Sequence, residues 1–186
     1  MNRCAWVGKE EIYKNYHDEE WGVPVYNSED LFAKLILDGF QAGLSWITIL
    51  KKREHFYTAF DQFDPKKIAV YSEDKVLELM NNAGIVRNQL KIRGTITNAQ
   101  LFLAYEAQGN SFSDLLWSFV GGKPLINAWE NREDVPTSTP ESDAMSKALK
   151  KMGFKFVGTT ICYAFMQAVG MVNDHSTDCF RYKDLI

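Results

Sequence analysis

"NSEDLFAKLILDGFQAGLSWITILKKREHF", residues 27–56, is the stretch that sets the fold class. Asn27 and Ser28 precede two acidic residues, Glu29 and Asp30. That order suits a helix start, where a short polar side chain satisfies free N–H groups and the acids face the positive end of the dipole. Leu31, Phe32, Leu35, Ile36 and Leu37 then recur at helical spacing, and Gly39 is expected to end the run. A second helix begins near Ser45, where Trp46, Ile49, Leu50, Phe56, Tyr57 and Phe60 keep the same period and Lys51, Lys52 and Arg53 take other faces.

The same punctuation continues outward. Pro65 suits the first turn of a short helix, Ser72 caps Glu73 to Met80, and Gly84 interrupts before a long helix from about Asn88 to Ala107, striped by Ile92, Ile96, Ala99 and Leu103. Ser113 is expected to start a helix that Gly121-Gly122 stops, and Thr139-Pro140-Glu141 to open one that Gly153 closes. Lys123 to Ser138 reads as loop. Nothing alternates with period two, so the expectation is an all-α fold.

Composition bounds the rest. A chain of 186 residues with 46% hydrophobic and 24% charged positions can bury a real core and reads as one globular domain, 1–186. It shows no repeat, low-complexity tract or long linker. A formal charge of -3 argues against indiscriminate nucleic-acid binding but leaves room for a local basic face. The uncharged stretch Phe156–Asn173 is broken by Gly158, Thr159, Thr160, Gln167 and Gly170. It falls short of the roughly 20 apolar residues of a membrane span, so it reads as a buried core helix. The start runs straight into Lys9-Glu10-Glu11, with no apolar secretory segment, and a cytoplasmic protein without membrane contact is expected. Three cysteines cannot all pair, which points to a metal, a reactive thiol or simple burial.

Four groups of residues carry potential chemistry. Asp38, in the last turn of the first helix, faces the negative end of the dipole and is a poor helix former. It is either a solvated side chain or a pocket carboxylate that meets a cation or polarised donor. Aromatic residues crowd the N-terminal part: Trp6, Tyr13, Tyr16, Trp21 and Tyr26, then Trp46. Such a set is usually core, but joined to a carboxylate it can cage a flat cationic ligand by stacking and cation–π attraction. Asn81-Asn82-Ala83-Gly84-Ile85-Val86-Arg87-Asn88 joins two helices. It is either a plain turn or a hairpin whose free N–H groups hold a phosphate, with Arg87, Lys91 and Arg93 adding charge. Lastly, His175 and Cys179 in "HSTDC" raise the choice between a catalytic Cys/His pair and a metal site. With Cys4 and His17 they could complete a closed Cys2His2 zinc site, although the spacing is not that of a zinc finger. His55 reads as a surface or satisfied histidine and Cys162 as an inert buried thiol.

Taken in order, "RCAW", "YKNYHDEEWGVP", "QAGLSWITILKKRE", "NAGIVRNQLKI" and "GFKFVGTTICYAFMQAVGMVNDHSTDC" resemble the bacterial DNA-3-methyladenine glycosylase I family, alkylation-repair enzymes of the helix-hairpin-helix superfamily, from end to end. The resemblance implies a compact two-lobed helical fold with a hairpin element at about 72–107. It also implies a structural zinc on Cys4, His17, His175 and Cys179 that ties the chain ends together. It implies a base pocket of Trp6, Tyr13, Tyr16, Trp21 and Trp46, with Trp46 stacking on the base and Tyr16 hydrogen-bonding it. Gln41 to Leu44, with Gly43 between, would enter the duplex where the damaged nucleotide leaves, and Gly84 would anchor DNA. Two departures stand out: Lys9-Glu10-Glu11-Ile12 replaces a proline beside an acid, and Asp38 takes the place of the family's usual glutamate, withdrawing the carboxylate by roughly 1.5 Å.

The implied function is a monomeric base-excision repair enzyme that acts on alkylated double-stranded DNA. It extrudes 3-methyladenine and releases it hydrolytically as the free base, leaving an abasic site without strand cleavage. Asp38 would be the recognition and electrostatic group of the reaction. The rival readings are a zinc-stapled module that binds alkylated or distorted DNA without excision, and a Cys/His nucleophilic hydrolase.

Overall fold

The computed structural model describes residues 2–186. Ten α-helices occur among the described residues: α1 (Glu11–Glu19), α2 (Ser28–Gln41), α3 (Trp46–Ala59), α4 (Pro65–Ile68), α5 (Glu73–Asn81), α6 (Gln89–Glu106), α7 (Phe112–Ser118), α8 (Pro140–Met152), α9 (Thr159–Ala168) and α10 (Phe180–Asp184). The fold is mostly helical, as expected. The one departure is a parallel pair of two-residue strands, β1 (Leu125–Ile126) and β2 (Val172–Asn173), with Leu125 opposite Val172. No helix among the described residues is long and apolar enough to cross a membrane.

Side-chain capping sets most helix starts. Asn27 accepts from the N–H groups of Glu29 and Asp30, Ser72 from Lys75, and Asn88 from Lys91. Thr139 and Ser142 form a reciprocal box at the start of α8, which Gly153 ends in the left-handed region at φ 99°. The helix expected from Ser113 begins one residue earlier, because Ser111 is the residue whose side chain accepts from the third turn position, Asp114. The loop expected over 123–138 contains β1 and a 3-10 turn at Arg132–Asp134.

α2 is the central element, buried on nearly every face and packed on α3, α6, α7 and α9. It runs on through Gly39 to Gln41, contrary to the stop expected at the glycine. Gly39 is there for room. A Cβ on it would lie 3.3 Å from the Cβ of Phe156, and one on Gly94 of α6 would lie 2.9 Å from the Phe156 ring. The two glycines thus form a slot from two helices for one aromatic side chain. On α6 the buried face holds Ile92 and Ala99 as expected but also Lys91, Thr95 and Asn98, whose polar atoms are hydrogen-bonded. Ile96 and Leu103 are only partly buried.

The N-terminal segment is fixed to the end of α9 by a very close approach. Gly170, at φ 72°, would place a Cβ 2.5 Å from the Pro24 nitrogen and 2.6 Å from the Gly22 carbonyl oxygen. Both the backbone angle and the contact exclude a side chain. Gly170→Ala is therefore expected to lower the unfolding free energy by roughly 3 kcal/mol or more, read from urea denaturation monitored by tryptophan fluorescence.

Candidate functional site

Aromatic and polar groups converge on a cavity of about 350 Å³ walled by Trp6, Tyr13, Tyr16, Trp21 and Trp46, with Asp38 and Gln41 from α2. Five of the six aromatics singled out from the sequence, those that the resemblance assigns to the pocket, meet here. Tyr26 does not: it stacks on Trp117 with centroids 4.4 Å apart. Trp6 lies 5.0 Å from Tyr13 and 4.9 Å from Trp21, and Tyr16 lies 5.4 Å from Trp46, centroid to centroid. The edge-to-face and tilted packing of these rings locks them against one another, so a ligand meets preformed walls.

Asp38 is 3% exposed, and its Oδ2 is buried with no hydrogen-bond partner. Buried carboxylates are ordinarily paired, so an orphan oxygen on a cavity wall marks a place for a donor or cation from a ligand. Burial pushes the Asp38 carboxyl up to about 7, against a smaller downward pull from Lys34 one turn earlier. Burial also raises the Tyr16 hydroxyl well above its ordinary value. The Nε1 of Trp46 is likewise buried and unpartnered.

Beyond Gln41 the chain turns through Gly43, at φ 82°, to an exposed Leu44. This turn is held from beneath by Lys91. Its Nζ donates to the carbonyls of Phe40 (2.8 Å) and Ala42 (2.7 Å), satisfying the C-terminal end of α2. Lys91 is thus a buried strut and not the phosphate-facing charge expected from sequence. Arg93 is also engaged, in a two-pronged pair with Glu73. Arg87 stays exposed in the α5–α6 turn. In that turn a Cβ on Gly84 would lie 3.0 Å from the Cβ and Cγ of His55, and Lys52 donates to the Ala83 and Gly84 carbonyls. The glycine lets the turn sit directly on α3. His55 is exposed, and Cys162 is buried with its thiol pushed up to about 12 by burial.

The ligand atoms of Cys4, His17, His175 and Cys179 lie within 4.8 Å of one another, all four residues being buried. Cys4 Sγ is 3.5 Å from His175 Nδ1, and Cys179 Sγ is 3.4 Å from His17 Nε2. The other ring nitrogens are engaged: His17 Nδ1 lies 2.8 Å from Asp18 Oδ1 and His175 Nε2 3.1 Å from the Trp21 carbonyl. Arg3 grips Asp18 in turn and holds its carboxyl down to about 2. The hydrogen bond between the thiols, with both imidazoles, draws Cys179 toward the thiolate, while the same bond and burial push Cys4 up. The four residues could hold a metal ion.

Six further residues line the aromatic cavity without having been foreseen: Arg132, Val135, Ala164, Gln167, Ala168 and Asp174. Buried Asp174 accepts four hydrogen bonds, from Asn127 and Trp129 on Oδ1 and from Tyr163 and Gln167 on Oδ2. Its place beside His175 was the one local signal for it. Arg132 had none, since folding alone brings it to the cavity.

A helical chain enclosing an aromatic-walled cavity over an unpaired carboxylate has the form suited to a flat, electron-poor ring. The methyladenine glycosylase family model matches residues 6–182, and the chain belongs to that family. It is 53% identical over 182 residues to DNA-3-methyladenine glycosylase 1 of Escherichia coli (strain K12), covering 98% of this chain and 97% of that protein. Among solved structures it is similar to a crystal structure of 3-methyladenine DNA glycosylase I, with TM-score 0.95, 56% identity and coverage of 96% of this chain and 98% of that one. It is also similar to a tyrosine-to-phenylalanine variant of such an enzyme in complex with 3-methyladenine, with TM-score 0.92, 40% identity and 97% of each chain covered.

The raised Asp38 has a consequence for stability. The folded state holds the carboxyl proton up to about pH 7, whereas an ordinary aspartate releases it near 3.8, so stability falls as pH rises between about 4 and 7. Asp38→Asn removes this dependence. The stability of the variant relative to the wild type is expected to improve by about 2–3 kcal/mol between pH 5 and pH 8, measured by urea denaturation at each pH.

Proposed function

We propose that the chain is a monofunctional DNA glycosylase that extrudes 3-methyladenine from alkylated duplex DNA and hydrolyses its glycosidic bond. The observation that carries this reading is the orphaned Asp38 carboxylate inside the aromatic cavity. 3-Methyladenine in DNA is a flat cation. Aromatic faces and the one carboxylate there without a hydrogen-bond partner, Asp38, favour it over neutral adenine by electrostatics, and burial strengthens that preference. Trp46 stacks on the base, Tyr16 donates to it, and Trp6, Tyr13 and Trp21 complete the walls. With the leaving group already charged, positioning and ground-state electrostatics supply much of the acceleration, and water attacks the anomeric carbon. No lysine lines the cavity among the described residues, which supports base release without Schiff-base chemistry or strand cleavage.

Residues 1–186 act as one domain. The α5–Gly84–α6 element, within about 72–107, serves as the helix-hairpin-helix contact to the DNA backbone, its chain start at α6 offering free N–H groups to a phosphate. Gln41, Gly43 and Leu44 enter the duplex where the nucleotide has left; an exposed leucine on a glycine turn suits that wedge. The metal is a structural zinc. Zinc bonds of about 2.3 Å to sulfur and 2.0–2.1 Å to nitrogen at tetrahedral angles separate the two donors by about 3.5 Å, close to the spacings of Cys4, His17, His175 and Cys179. The partners on both outer ring nitrogens complete such a site.

Incubating the protein with methylated DNA and resolving the products by chromatography is expected to yield free 3-methyladenine and an unbroken abasic strand. Binding without base release would favour the rival binding module, and no binding or release would refute both. Cys179→Ser is expected to lose the single zinc by metal analysis and to lower Tm by roughly 10 °C or more, since structural zinc contributes folding energy directly. The fraction that remains folded should keep base-release activity, because the cluster shapes the pocket and takes no chemical step.

A further inference from the structure

Among the described residues, the cavity lining has one cation, Arg132. Its position is unusual for a pocket that receives a positive ring, because a guanidinium at the floor would oppose binding. Arg132 is instead exposed, whereas Asp38 is buried, so the cation stands at the mouth and the anion at the floor. No carboxylate lies within ion-pair distance of Arg132 among the described residues, although Glu130, Glu133 and Asp134 are near in sequence. Asp134 is engaged elsewhere, accepting from the backbone and side-chain nitrogens of Asn131.

The segment that carries Arg132 is firmly held. β1 pairs with β2, Asn127 and Trp129 both donate to Asp174 Oδ1, and Thr177 N donates to the Trp129 carbonyl at 2.9 Å. The same Asp174 is tied to α9 through Tyr163 and Gln167. This strap, tied down over residues 125–129, delivers Arg132 to the rim, and Val135 also lines the cavity. On the glycosylase reading, on which this inference rests, an extruded nucleotide brings its own phosphodiester to that rim as the base goes to the floor.

We infer that Arg132 is a substrate-binding residue that takes the phosphate of the extruded nucleotide at the pocket mouth, with Asp174 as the positioning residue that holds its strap in place. The charges then alternate along the ligand: anionic phosphate on Arg132, cationic base on Asp38. A planar guanidinium suits a phosphodiester through two parallel hydrogen bonds.

The test compares wild type, Arg132→Gln and Arg132→Lys in three measurements. The first is binding to a duplex carrying an abasic site, which needs no excision, as a function of salt. The second is KM and kcat on methylated DNA, and the third is affinity for free 3-methyladenine, which has no phosphate. Arg132→Gln is expected to weaken duplex binding roughly tenfold at low salt and to reduce the salt slope by about one phosphate contact. It should raise KM more than it lowers kcat, and leave free-base affinity within about twofold. Arg132→Lys should restore the slope. An unchanged slope and KM, or an equal loss of free-base and duplex affinity, would overturn the assignment. Failure of the wild type to release base would count against the glycosylase reading alone, since the binding arm does not depend on it.

Discussion

The two ends of the chain meet at Cys4, His17, His175 and Cys179, and the pocket depends on that meeting. Four of its five aromatics, Trp6, Tyr13, Tyr16 and Trp21, lie on the first 25 residues, a segment with one short helix and little apolar surface facing the main core. A segment of that kind gains little from burial alone. It is fastened at the cluster, at the Gly170 approach beneath Gly22–Pro24, and at α10, whose Phe180 N–H donates to the Asn2 carbonyl. His175 also bonds the Trp21 carbonyl directly, so a residue of the cluster fixes the backbone of a pocket wall. Rigidity at the cluster becomes shape in the pocket.

The opposite wall comes from the buried centre of the fold. α2 is buried almost all round and carries Asp38 in its last full turn, where burial and the dipole both disfavour a negative charge. A folded protein keeps such a residue only where the surroundings over-determine it, and here Lys91 closes the carbonyl end of the same helix and stops it fraying. The energetic cost of an unpaired carboxyl is held by a large core, which leaves the group able to answer a cation. On the proposed reading, selectivity for a charged ring over a neutral one follows from that cost, because the cation is the partner whose arrival relieves it.

How much of this was legible in the chain differs from residue to residue. Helix starts were plain, because Asn27, Ser72, Asn88 and Thr139 cap by hydrogen bonds that span only two or three residues. Gly39 misled for the same local reason: glycine at a helix end and glycine under a crossing side chain look alike until Phe156 is placed. Lys91 and Arg93 read as basic charges near a turn, and only packing revealed that one supports carbonyls and the other pairs with Glu73. The site aromatics and the Cys/His set were recognisable through a resemblance spread along the whole chain.

Composition and short-range chemistry were thus enough for a helical class, for the main helix boundaries and for the scarce residue types worth pursuing. Period and capping are properties of neighbours a few positions apart, and they survive in the linear order. What required the tertiary structure was every relation between distant segments: the strap of 125–135 with Arg132 at its rim, the four bonds converging on Asp174, and the burial that leaves Asp38 without a partner. Such relations depend on which surfaces pack together. No local pattern carries that information, because burial and electrostatics belong to the assembled core and not to the residue.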